Sequence, residues 1–89
     1  MKTVWKFPLR PTGVQKIRMP RDSTILTIQR EDQFLSLWTL VETDKEPVDR
    51  FFMIAMTGKP LPSEIERYIG TFQIPEQNFV GHVFEIKGE

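Results

Sequence analysis

Between Thr24 and Glu42 two runs of β-branched, aliphatic and aromatic residues, TILTIQR and QFLSLWTLVE, lie either side of the polar pair Glu31-Asp32. This spacing predicts a strand, a very short turn and a second strand. The turn lacks an Asn-Gly or Asp-Gly pair, so the pattern leaves its register open. Alternation places Leu26 and Ile28 on one face of the first arm, with Ile25 and Thr27 on the other. The second arm is apolar on both faces: Leu35, Leu37 and Val41 on one, Phe34, Trp38 and Leu40 on the other.

The rest of the chain reads as strands around this hairpin. Thr3 to Leu9 alternates, with Trp5, Phe7 and Leu9 on the face of Thr3, and Lys2, Val4 and Lys6 opposite. Pro8 lacks an amide donor and marks a sheet edge. Val14 to Met19 is a weaker, more polar strand, and Glu42 to Pro47 a charged loop. In Val48 to Met56, Phe52, Ile54 and Met56 alternate with Phe51, Met53 and Ala55, again apolar on both faces. Ser63, with Glu66 three residues on, has the form of a capping box and predicts a short helix at 63–68. Tyr68 to Ile74 and Phe79 to Ile86 then form a second hairpin about Pro75–Asn78, and Gly70 marks a bulge. The expected fold is mainly β: a sandwich or small barrel of about six or seven antiparallel strands with one short helix.

Length and composition limit what this fold can hold. The 89 residues predict a single domain, 1–89. A chain of this size buries about 60–65% of its unfolded surface, so one modest core is expected. Aromatic residues make up 11% and there is no cysteine, so packing must serve in place of disulfides or thiolate-bound zinc. No apolar run reaches the ~18 residues of a membrane span. The start, MKTVWKFPLR, lacks a signal peptide's apolar region, so a cytoplasmic protein is expected. Net charge is zero, which argues against binding dominated by phosphate neutralisation. It is unevenly distributed, +4 over residues 1–40 and −4 over 41–89.

Reaction chemistry is sparsely represented. The single histidine, His82, falls among Val80, Phe84 and Ile86 on one strand face and reads as a rim residue with a local hydrogen bond. No serine lies in a nucleophile-elbow sequence, and no calcium-loop spacing is found. Thr57-Gly58-Lys59-Pro60 lacks the upstream glycine of a phosphate loop, and Pro60 replaces its magnesium-binding hydroxyl. No catalytic residue, metal ligand or cofactor is therefore assigned.

Several segments, in order, carry a resemblance. They are MKTVWKFPL at residues 1–9, Met19-Pro20 through Gln29, LWTLV at 37–41, TGKPLP at 57–62, YIGTFQ at 68–73 and HVFE at 82–85. Together they resemble a family of small uncharacterised proteins encoded by bacteriophages and prophages. The resemblance implies a bacterial cytoplasmic setting and supplies no activity or site residues.

The function expected is non-enzymatic binding by protein–protein contact, with a host or phage protein or with the chain itself. Surplus apolar surface supports it: Phe34, Trp38 and Leu40, together with one face of strand 48–56, either form a second core layer or stay exposed. If exposed, Trp38, Phe34 and Leu40 are the expected anchors and Arg18, Arg21 and Arg30 the steering charges. One alternative is a single-stranded nucleic-acid binder using Lys2, Lys6, Lys16 and Arg18. Trp5 and Phe7, read as core, are unavailable for base stacking. Another is a small-molecule or nucleotide-binding protein with a pocket between subunits or beneath the Thr57–Pro62 loop.

Overall fold

The computed structural model describes residues 1–32, 34–61 and 64–88. Within them the alternating segments form seven strands: β1 (Lys2–Leu9), β2 (Gly13–Pro20), β3 (Thr24–Glu31), β4 (Phe34–Glu42), β5 (Pro47–Met56), β6 (Ile65–Ile74) and β7 (Phe79–Ile86). They pair antiparallel in two sheets, one ordered β1-β4-β3 and the other β2-β5-β7-β6. Mainly β is therefore correct, and of the two architectures expected the chain adopts the sandwich.

Both hairpins form. Asp32 takes the left-handed conformation in the β3–β4 turn (φ 54°). A single 3-10 turn, Pro75–Gln77, ending on left-handed Asn78, joins β6 to β7. The helix expected at 63–68 is overturned, because Ile65 to Tyr68 begin β6. Ser63, its cap, lies outside the described residues. A one-turn helix is marginal by itself, whereas in the strand Ile65 lies beside Ile86, Arg67 beside Glu85 and Tyr68 beside Phe84. The register shifts twice here, between Ile65 and Arg67 and between Tyr68 and Gly70.

Another bulge changes the reading of β3. The register shifts between Ile25 and Thr27, so Ile25 and Ile28 both turn inward while Leu26 is 51% exposed. Strict alternation had put Leu26 and Ile28 on one face; the extra residue reverses the first half of the strand.

The core lies between the layers. Leu9, Leu35, Leu37 and Ile28 enter from the three-stranded sheet, and Ile17, Met19, Phe52, Ile54, Phe72 and Val83 from the four-stranded one. Gly70 and Gly81 permit close approach: a Cβ on Gly70 would meet the Ile28 side chain at 2.9 Å, and one on Gly81 the Phe72 ring at 2.5 Å. Trp5 belongs to the inward row of β1 yet is 41% exposed, which corrects its placement in the core. β1 ends its sheet, and β2, the last strand of the opposite layer, lies closest to β4. The ring is therefore half-covered and packs edge-on against Phe7 at 6.2 Å.

Arginines close the β3 side. Arg50 makes a bidentate pair with Glu85 at 2.7 and 2.8 Å and also donates to the Ser23 carbonyl. Arg67 donates to the Ile25 carbonyl at 3.2 Å, and Arg30 pairs with Glu76. Each reaches from one layer to the other or to a loop at its rim, where apolar packing alone would leave carbonyls unpaired.

Candidate functional site

Among the described residues no other element covers either sheet's outer face, and strand register sets which side chains share it. On β5, Phe52 and Ile54 point into the core, which turns Phe51 and Met53 outward. Register then sets Lys16, Phe51, Ile86 and Ile65 side by side in one row across the four-stranded sheet. The next row is Val14, Met53, Phe84 and Tyr68. Seven of these eight side chains are apolar or aromatic. The surplus of strand 48–56 is thus exterior surface.

Polar groups flank the two rows. On one side Asp49 accepts from Arg18 at 3.1 Å, with Lys16 at 4.0 Å. On the other, His82 Nε2 is 2.6 Å from Thr57 Oγ1 and His82 Nδ1 2.9 Å from Thr71 Oγ1, which lies 2.6 Å from the Tyr68 hydroxyl. Both ring nitrogens are thus engaged by hydroxyls, and among the described residues no carboxylate joins the chain of contacts. The Thr57–Lys59 segment is a tight turn after β5, with Lys59 N donating to Met56 O at 3.1 Å.

The outer face of the three-stranded sheet carries Phe34, Trp38 and Leu40, together with Val4, Lys2 and Lys6. Phe34 is 68% exposed; Trp38 and Leu40 are half-buried. Charges divide this face. Lys6 stands 5.2 Å from the centre of the Trp38 ring and 3.2 Å from Glu31. A shallow hollow of about 390 Å³ lies between Lys6, Pro8, Glu31, Asp32, Phe34 and Ser36.

The structure separates several residues that the sequence had grouped. Phe34, Trp38 and Leu40 do share a face. Arg18 lies on the outer face of the opposite layer, Arg21 pairs with Glu46 at 2.8 Å in the loop after β2, and Arg30 is a cross-layer tie. The basic set divides likewise, Lys2 and Lys6 on one layer and Lys16 and Arg18 on the other. The Ile65, Phe84, Ile86 and Tyr68 share of the larger surface was missed, because β6 was partly read as helix and one strand's outward residues do not reveal their neighbours. Among the described residues no cluster of three or more His, Asp or Glu side chains could hold a metal ion. Among them, too, no helix is long and apolar enough to cross a membrane.

Fold and surface together define a small two-layer antiparallel β-sandwich with two apolar rows on the outer face of its four-stranded sheet. The sequence model of the family described as Domain of unknown function (DUF7352) matches residues 1–89, and the chain belongs to that family. No curated protein and no solved structure matches it.

Proposed function

We propose that this is a non-enzymatic contact protein that works by binding a protein surface through the outer face of its four-stranded sheet. The observation that carries this reading is the pair of apolar rows on β2, β5, β7 and β6, bordered by Arg18–Asp49 on one side and the His82 hydroxyl network on the other. An apolar centre inside a polar border is the usual anatomy of a protein interface. The expected anchors Phe34, Trp38 and Leu40 share the other outer face, where Lys6 and Glu31 interrupt them, and this reading places the contact elsewhere. A phage or prophage protein of the bacterial cytoplasm is the setting that the sequence resemblance supports.

The nucleic-acid reading draws less support, since its four basic residues are divided between opposite layers and cannot line one groove. Affinity capture from bacterial lysate, with the oligomer mass measured alongside, tests the proposal by comparing wild type with Met53→Glu. The wild type should associate, with itself or with a captured protein, and the variant should lose that association. A wild type that associates with nothing, or a variant that retains everything, overturns it.

A further inference from the structure

We propose that the occupant of this face is a second copy of the chain, stacked sheet on sheet about a two-fold axis that runs along the strands. The inference rests on the contact reading above and names its partner.

Area is sufficient. Four strands ~4.8 Å apart give a width of about 19 Å, and strands of eight to ten residues a length of about 26–33 Å. Two such faces amount to about 1,000–1,250 Å² before side-chain relief is counted, against the ~1,000 Å² at which specific interfaces begin.

The face is also complementary to itself. Rotation about an axis along the strands lays β2 over β6 of the second copy and β5 over β7. Val14 then meets Tyr68, Met53 meets Phe84 and Phe51 meets Ile86, so apolar residues lie on apolar residues except at the ends of one row, where Lys16 meets Ile65. Tyr68, 55% exposed at the β6 edge, arrives beside the hollow of about 250 Å³ lined by Val14, Phe51, Ile86, Lys87 and Gly88.

Charge selects this orientation. Lys16 and Arg18 are exposed on the β2 edge, both against Asp49, while Glu64, with Lys87 Nζ at 4.0 Å, and Glu66 are exposed at the start of the β6 edge. Lys87 N donates to Glu64 O at 3.1 Å, which holds Glu64 beyond the Ile86–Ile65 row, on the side where Arg18 and Asp49 lie beyond Lys16 and Phe51. The two-fold along the strands therefore sets Lys16 and Arg18 of one copy against Glu64 and Glu66 of the other, twice. An axis across the strands would lay β2 on β2 and gather four basic side chains at one edge, which like-charge repulsion disfavours. The other layer's outer face is less suited to this stacking, because Lys2, Lys6, Glu31 and Glu42 interrupt its apolar residues.

Sedimentation equilibrium of the full chain tests the proposal. The wild type should reach twice its 10.5 kDa mass at micromolar concentrations. Met53→Glu and Tyr68→Glu, with folding checked by circular dichroism, should each weaken dimerisation about 100-fold or more, because each buries an unpaired charge. Phe34→Glu should leave it unchanged. Arg18→Glu should weaken it by a smaller factor, and adding Glu64→Lys to the same chain should restore it. Three results overturn the second-copy proposal: a monomer at every concentration, a dimer indifferent to Met53→Glu and Tyr68→Glu, or a dimer lost with Phe34→Glu. A monomer that captures another protein through Met53 and Tyr68 refutes the second copy but spares the contact reading. A monomer that binds nothing refutes both.

Discussion

The two outer faces of this sandwich are built from similar residues and arranged differently. On the three-stranded sheet Phe34, Trp38, Leu40 and Val4 are interspersed with Lys2, Lys6, Glu31 and Glu42, and Lys6 lies over the indole of Trp38. On the four-stranded sheet the apolar residues are contiguous and the charges stand at the border. A partner approaching the first must strip water from charged groups, whereas on the second it displaces water chiefly from rings and aliphatic chains. Arrangement across strands, more than hydrophobic content along any one of them, distinguishes a contact surface from a merely greasy one.

The comparison holds only if folding stability lies between the sheets, leaving the outer faces available for contact. Arg50→Ala should have the largest effect, a loss of about 3–5 kcal/mol in urea unfolding, because it leaves Glu85 inside without its bidentate partner. Replacing both residues with apolar ones should recover much of that loss; no recovery would mean that the pair does more than neutralise itself. Gly81→Ala should cost about 1–3 kcal/mol, since its methyl would press on the Phe72 and Phe79 rings beneath the four-stranded sheet. A neutral result would mean that those rings can shift. Beneath the three-stranded sheet, Thr39 is fully buried and its hydroxyl has no partner among the described residues. Thr39→Val should therefore raise stability by about 1 kcal/mol, seen as a higher urea midpoint. The smallest effect belongs to the outer surface: Lys6→Ala, which removes the contacts with Trp38 and Glu31, should change stability by under about 1 kcal/mol.

The strands were legible in the sequence because period-2 alternation survives in single segments such as Thr3–Leu9 and Val48–Met56. The bulge at Leu26 was not, since one inserted residue leaves composition unchanged while reversing which side chains turn inward. The start of strand Ile65–Ile74 is obscured by a local capping pattern, outweighed by pairing with β7, whose partners for Ile65 to Tyr68 lie 16 to 21 residues away in the chain. For the candidate site, Phe51 and Met53 were visible as surplus apolar residues. Their grouping with Val14, Phe84, Ile86, Ile65 and Tyr68 depends on the order β2-β5-β7-β6, which no single segment encodes. The same limit explains why Arg18 and Arg30 were grouped with Trp38 although neither shares its surface.

Hydroxyl-radical footprinting across a dilution series tests the central claim most directly, because it reads both faces in one sample. Met53, Tyr68 and Phe84 should be protected at high concentration and become reactive on dilution, while Phe34 stays reactive throughout. Tyr68 and Met53 reacting equally at every concentration, or protection on the Phe34 face instead, would contradict the account.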